Sequence, residues 1–222
     1  MKYFFSGLFA ALLIATNTFA QKKFEGVITY SISFEESGLP PEALAMLKGA
    51  ESKTYIKNDM RRVDMTTPVQ SSSSVIDNKT KTVLTTMEIM GQKYIIKTSE
   101  DDLKKEKENA PETTITYLNE TKEIAGYKCK KAEVKTKTKE GKEESFMIYY
   151  TDEIPASETK STFEGLKGVP LEYTINQGGV RMSFTAKSVS KEKLPDSKFV
   201  LDKEGYQEIT LDDLKQAMGA GK

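Results

Sequence analysis

Apolar and polar residues alternate along most of the chain, which is the period of β-strands. Between residues 24 and 34 the even-numbered positions are apolar or glycine, and Thr29, Ser31 and Ser33 separate them. Similar alternation occupies residues 171–175 and 180–186, on either side of Gln177-Gly178-Gly179. Asn58-Asp59 and Asn78-Lys79 mark two more hairpin turns. The pattern predicts about ten antiparallel strands in a mainly β (α+β) domain.

The segment from Phe146 to Pro155 departs from simple alternation. Phe146, Ile148 and Tyr150 are apolar or aromatic, and so are the intervening Met147 and Tyr149. Such a segment is typical of a central strand that is covered on both faces.

In the second half of the chain, the apolar pattern predicts an irregular strand. Extended structure is expected over residues 114–117 and again over residues 124–129. The apolar positions change parity between Cys129 and Ala132, which predicts a β-bulge near Lys130-Lys131.

Three segments have helical features. A helix of about two turns is predicted over Glu42 to Lys48, because Pro40-Pro41 precede this segment and Gly49 follows it. Such a helix is too short to be stable unless it packs on the sheet. The charged residues 99–111 predict an exposed helical turn or a mobile linker. Thr210 and Asp213 resemble a capping box, which predicts a helix over residues 211–218.

The N-terminus has the features of a secretory signal. Lys2 precedes a short apolar run, and Thr18-Phe19-Ala20 resembles a cleavage site. Residues 1–20 are therefore interpreted as a signal peptide and residues 21–222 as one domain, exported to the periplasm or secreted, with no transmembrane span.

Charge and residue types exclude several functions. Lysine plus arginine and aspartate plus glutamate number 33 each, so no overall charge favours nucleic acid. The chain has no histidine and a single cysteine, Cys129, which argues against the common nucleophilic and zinc sites. Cys129 is either a reactive thiol or, as we favour, a small buried apolar residue. Adjacent acids such as Asp152-Glu153 point in opposite directions on a strand. We therefore expect no enzymatic activity, no cofactor and no metal.

Lysines are concentrated in one predicted hairpin. They form a candidate cationic surface of Lys128, Lys130, Lys131, Lys135 and Lys137. The surface could bind anionic lipid headgroups or an acidic partner. Alternatively, its lysines are solvated and discourage pairing between sheet edges.

Apolar side chains are expected to converge on one face of the sheet and under the first helix. These candidate ligand-binding residues are Tyr30, Ile32, Phe34, Leu44, Leu47, Phe146, Ile148, Tyr150, Tyr173, Met182 and Phe184. They could line a cavity for an acyl chain or pack together as an ordinary core.

Several short segments of the chain are distinctive in combination. They are residues 24–30, the two prolines at 40 and 41, residues 55–59, 124–129, 149–153 and 165–171, and Gly205-Tyr206. Together they resemble a family of exported proteins from Bacteroidota, similar to the superfamily of the outer-membrane lipoprotein carrier LolA. The resemblance implies a strongly curved antiparallel half-barrel with short helices on its concave apolar face.

These observations favour a non-catalytic cell-envelope protein that binds a lipid, a lipoprotein or another hydrophobic ligand in that concave face. The alternative is an interaction or structural module with a packed core, which would contact an envelope protein through the lysine-rich hairpin or a sheet edge.

Overall fold

A computed structural model describes residues 24–35, 42, 45, 47–89, 91–137, 141–156, 163, 165–177, 180–210 and 213. They form one sheet of twelve strands in the order β12-β6-β5-β4-β3-β2-β1-β11-β10-β9-β8-β7. The strands are β1 (Glu25–Glu35), β2 (Glu51–Lys57), β3 (Met60–Thr66), β4 (Gln70–Asp77), β5 (Thr82–Ile89), β6 (Gln92–Thr98), β7 (Glu112–Ile124), β8 (Tyr127–Lys137), β9 (Glu143–Thr151), β10 (Val169–Gln177), β11 (Val180–Lys191) and β12 (Gln207–Glu208). All neighbours pair antiparallel except β12, which is parallel to β6.

The predicted mainly β class with one antiparallel sheet is confirmed. The sheet is neither closed nor strongly curled, in contrast to the strongly curved half-barrel that the resemblance implied. Of the helix expected at residues 42–48, Glu42 and Ala45 are helical and Leu47 and Lys48 lie in a turn, whereas residues 43, 44 and 46 lie outside the described residues. Residues 1–20 and most of residues 211–218 also lie outside them.

One described α-helix, α1, runs from Glu100 to Asn109, where the sequence predicted a helical turn or a linker. Ser99 and Asp102 form a reciprocal capping box at its start, which explains why so polar a segment is helical. The capping contacts between Thr210 and Asp213 are also present, at 3.0 Å in both directions between backbone nitrogen and side-chain oxygen.

Two tight turns use residues with a positive φ angle. Asn58, with φ of 51°, turns β2 into β3 as the sequence predicts. Ala125 and Gly126, with φ of 50° and 80°, turn β7 into β8. The expectation of continuous extended structure over residues 124–129 is therefore wrong, because alanine is an uncommon residue in this conformation and gave no turn signal.

The β-bulge predicted near Lys130-Lys131 is not found in β8, which pairs with β9 in regular register from Lys130 to Lys137. Cys129 and Ala132 are both buried, and the pairing of β7 with β8 shifts register between Tyr117 and Thr121, opposite this point. The additional residues lie in β7 rather than in β8.

One face of the sheet, which we call the front face, bears the larger apolar core. Side chains from β1, β10 and β11 join those of β8 and β9 there, and Phe163 and Leu166 cover the second group. The opposite, back face has a smaller core in which Leu194, Phe199 and Leu201 cover Val27 and Val75. The segment after β11, including a 3₁₀ helix at Asp196–Phe199, thus packs on the back of β1 to β5.

This arrangement leaves β9 covered on its front face only. Phe146 is half-buried and Ile148 and Tyr150 are buried there, whereas Met147 on the back face is 46% exposed. The prediction that both faces of this strand are covered is wrong, because the C-terminal segment covers the other half of the back face.

Candidate functional site

The back face of β7 to β11 is polar and open to solvent among the described residues. Its central strands present short hydroxyl side chains, such as Thr174 and Ser183, whose oxygens lie 2.9 Å apart. Ser31 on the adjoining β1 donates to the Thr185 carbonyl at 3.2 Å. Within this surface, Met147 and Tyr149 are two large side chains with apolar area, and they occupy successive back-face positions of β9.

Tyr149 lies at the centre of a hydrogen-bonded group. Its hydroxyl donates to one carboxylate oxygen of Glu120, and Lys131 donates to the other oxygen at 2.8 Å. Glu120 is in the part of β7 where the register shifts, so its side chain reaches over β8. The bulge therefore positions an acceptor beside the tyrosine.

A second ion pair flanks the same ring. Lys122 of β7 donates to both carboxylate oxygens of Glu172 on β10, at 2.9 and 2.8 Å. The ammonium nitrogens of Lys122 and Lys131 lie 5.2 and 5.6 Å from the centroid of the Tyr149 ring, close enough for cation–π attraction. We call Tyr149, Met147 and the charged residues Glu120, Lys122, Lys131 and Glu172 the Tyr149 cluster.

The charges of this cluster stabilise one another. Hydrogen bonds from Lys131 and then from Tyr149 lower the pKa of Glu120, and the bond to Glu120 raises the pKa of Lys131. The Glu172 carboxylate likewise raises the pKa of Lys122, and the bond to Glu120 raises that of the Tyr149 phenol. At neutral pH the cluster contains two ammonium groups, two carboxylates and a neutral phenol, so its net charge is zero.

The candidate cationic surface is also largely paired. Lys130 contacts Asp152 at 2.7 Å, Lys131 contacts Glu120, and Lys135 and Lys137 contact Glu133 and Glu143 at 3.5 and 3.3 Å. Lys128 is exposed and lies opposite Glu123 in the β7–β8 ladder. The lysines therefore alternate with carboxylates rather than forming a continuous positive field.

The structure brings most candidate ligand-binding residues together on the front face, where they pack against one another. Tyr30, Ile32, Phe34, Tyr173, Met182 and Phe184 share one cluster, and Phe146, Ile148 and Tyr150 share the other. Tyr173 stacks on Phe184 with ring centroids 4.7 Å apart. Leu47 is half-buried, and Leu44 lies outside the described residues.

Few groups in the described part of the chain are suited to catalysis. No set of three or more potential metal-binding side chains lies close together there. Each carboxylate in that part whose pKa is clearly shifted has a lowered value: Asp77, Asp102, Glu120, Glu144 and Asp213. A general acid at neutral pH needs the opposite shift. Burial raises the pKa of the Cys129 thiol to about 11, as expected for an unreactive cysteine.

The sequence contains only part of the signal for the Tyr149 cluster. Alternation marks Met147 and Tyr149 as apolar positions of β9, and Lys131 belongs to the lysine-rich hairpin. Their proximity to Glu120, Lys122 and Glu172 depends on strands that are distant in sequence.

A membrane-spanning helix is not found in the part of the chain that the structure describes, because no helix there has both the length and the apolar character that spanning requires.

Comparisons with known proteins identify one matching family and two similar solved structures. A family model described as "N-glycanase peptide, N-terminal domain" matches residues 19–215. No curated protein matches. The solved structure of PNGF-II in space group P21 is similar in fold, with a TM-score of 0.53 and 19% identity over 88% of this chain and 33% of that chain. A second PNGF-II structure, in space group C2, matches with a TM-score of 0.41, 18% identity, and coverage of 88% and 32%.

These matches correct two expectations from the sequence. The family that matches is not the LolA superfamily, so that resemblance is wrong. The expected binding of a lipid or lipoprotein in a concave face, and its alternative as an envelope interaction module, are also overturned by this match to an N-glycanase N-terminal domain. This chain spans about a third of the length of the PNGF-II chains that it matches.

Proposed function

The chain belongs to the family described as "N-glycanase peptide, N-terminal domain", and from this membership we propose that it is a non-catalytic module that binds N-glycosylated proteins. The observation that carries the proposal is the match over residues 19–215, which includes the whole sheet. The surface that we assign to binding is the open back face of β7 to β11.

The surface chemistry supports this assignment. A glycan offers hydroxyl groups that both donate and accept hydrogen bonds, and the open face presents both kinds of partner. Hydroxyl side chains of β10 and β11 adjoin the ammonium and carboxylate groups of the Tyr149 cluster. A polar face with a few apolar side chains is also typical of non-obligate recognition surfaces.

The lowered pKa values of the carboxylates support a binding role rather than a catalytic one. Glu120 is held ionised by Lys131 and Tyr149, and Glu144 by Lys142 and Asn176. Neither residue would carry a proton to deliver to a leaving group at neutral pH. The absence of histidine from the sequence removes the commonest alternative acid or base.

Isothermal titration calorimetry with matched peptides tests the proposal. One synthetic peptide carries a neutral N-glycan on its asparagine, and the control peptide has the same sequence with a free asparagine. We expect heat of binding from the glycopeptide and none from the control. Equal binding of both peptides, or binding of neither, contradicts glycan recognition.

Catalysis is checked on the same samples. Mass spectrometry after prolonged incubation should show the glycopeptide at its original mass. Release of the glycan would contradict the non-catalytic part of the proposal while leaving the binding part intact.

A further inference from the structure

We propose that the Tyr149 cluster is a saccharide subsite in which an uncharged pyranose ring of the glycan lies against Tyr149 and Met147. This inference rests on the proposed function and specifies where the sugar binds and what kind of sugar binds there. The residues that carry it are an aromatic ring, an exposed thioether side chain and two ion pairs, all on the back face of β7 to β10.

The two apolar side chains give the subsite its shape. Met147 and Tyr149 are two residues apart on one strand and face the same way, so they project about 6.8 Å apart. The apolar C–H face of a pyranose packs on flat or adaptable apolar groups. Met147 is the adaptable group, and beside it the half-buried Tyr149 ring, which also has two ammonium groups near it, is the flat one. Met147 is 46% exposed, so its thioether side chain is accessible to a ligand.

The surrounding ion pairs give the subsite its hydrogen-bonding capacity. Lys122 and Lys131 provide ammonium donors close to the Tyr149 ring, and Glu120 and Glu172 provide carboxylate acceptors. Each ammonium group is hydrogen-bonded to its carboxylate. This bond keeps the ammonium group near the Tyr149 ring, where it can also donate to a sugar hydroxyl. Charge-assisted hydrogen bonds of this kind are stronger than neutral ones.

The charge balance selects the kind of sugar. Two lysines and two glutamates cancel, so the cluster offers no net attraction to a phosphate, a sulfate or a sialic acid carboxylate. A neutral hexose or N-acetylhexosamine fits the balance better because it leaves both ion pairs in place. Its binding should also change little with ionic strength, since no net charge is neutralised.

Substitutions at position 149 test the subsite by titration of the neutral N-glycopeptide. Tyr149→Ala removes the ring and should weaken binding by about tenfold. Tyr149→Phe keeps the ring and should retain most of the affinity. Met147→Ser should have an intermediate effect.

Tyr206→Ala is the matched control. Tyr206 is also half-buried with a lysine over its ring, since the Lys93 nitrogen lies 5.4 Å from the ring centroid. It adjoins β12, at the far side of the sheet. Circular dichroism confirms that each variant is folded before titration, and Tyr206→Ala should bind like the unchanged protein.

The outcomes separate this inference from the proposed function. If the unchanged protein binds and Tyr149→Ala loses affinity while Tyr206→Ala does not, the subsite is supported. If the unchanged protein binds and Tyr149→Ala binds equally well, the subsite is overturned and the glycoprotein-binding function stands. If the unchanged protein does not bind the glycopeptide, both are overturned. Tighter binding of a sialylated glycopeptide would overturn the preference for neutral sugars.

Discussion

The hydroxyl group of Tyr149 donates a hydrogen bond to Glu120, although the two residues belong to strands that are not neighbours in the sheet. Glu120 is in β7 and Tyr149 is in β9, with β8 between them. The contact forms where the pairing of β7 with β8 loses its regular register. A local irregularity of one strand thus provides a partner for the aromatic ring of another.

This contact makes the stability of the protein depend on pH in a defined direction. The hydrogen bonds from Lys131 and Tyr149 lower the pKa of Glu120 in the folded protein below its ordinary value of 4.5. Its contribution is therefore present above pH 4.5 and is lost as the pH falls through the lowered value. Glu120→Gln should lower the urea midpoint at about pH 7 and lower it less at about pH 3.

Glu123→Gln provides the comparison, because Glu123 is exposed on the same strand. Its midpoints should match those of the unchanged protein at both pH values. The expected effect of Glu120→Gln is small, since exposed ion pairs contribute little. A midpoint difference that is as large at about pH 3 as at about pH 7 would contradict the assignment of the shift to Glu120.

A second prediction concerns Gly26, which pairs with Lys191 where β1 adjoins β11. A Cβ atom at this position would lie 2.0 Å from the carbonyl oxygen of Ser190. Gly26→Ala must therefore push the two central strands apart and should lower the free energy of unfolding by about 2–3 kcal/mol.

Gly205→Ala is its control. A Cβ atom at Gly205 meets nothing within 4 Å, so the only cost is its φ of +75°, about 1–2 kcal/mol. Equilibrium unfolding in urea measures both variants. Gly26→Ala with stability equal to that of Gly205→Ala would show that the strands separate at no additional cost.

A third prediction concerns the single thiol. Cys129 is fully buried, and burial raises the pKa of its thiol to about 11. Only the thiolate reacts with a disulfide reagent, and at about pH 8 almost none is present. The native protein should resist labelling by dithionitrobenzoate and react with one equivalent once unfolded in guanidinium. Rapid stoichiometric labelling of the native protein would contradict a buried structural role.

The sequence predicted the parts of the fold that depend on local pattern. The pairing of Tyr173 with Phe184 and of Ile175 with Met182 follows from alternation on either side of a short turn. The pairing of β1 with β11 could not be predicted in the same way, because it joins the two ends of the domain. No local pattern specifies which distant strand becomes a neighbour.

The candidate site was less predictable for a related reason. Alternation indicated that Met147 and Tyr149 share a face, but exposure depends on what covers that face. Leu194, Phe199 and Leu201 cover the back of β1 to β5 instead. The alternation of apolar residues along a strand does not indicate which part of the sheet such a segment will cover. The position of Glu120 depends further on the register shift in β7, whereas the sequence placed the irregularity at Lys130-Lys131.

A final prediction concerns the link between the front core and the strand that bears Glu172. The Tyr30 hydroxyl donates to the Pro170 carbonyl at 2.9 Å, and Tyr30 is only 3% exposed. Pro170 lies where the pairing of β9 with β10 shifts register, so the regular ladder is interrupted next to its carbonyl. Tyr30→Phe keeps the ring but leaves this buried acceptor without its donor. The free energy of unfolding should fall by about 1–2 kcal/mol.

Tyr94→Phe is the matched control, because the Tyr94 hydroxyl bonds Gln92 at an exposed position. Water replaces that partner, so the expected change is below about 0.5 kcal/mol. Since Tyr30 is on the front face and the Tyr149 cluster on the back, Tyr30→Phe should also leave glycopeptide affinity unchanged while it lowers stability. Equal stability of the two variants would show that the Pro170 carbonyl finds another donor. A loss of affinity in Tyr30→Phe would instead show that the two faces are coupled through β10.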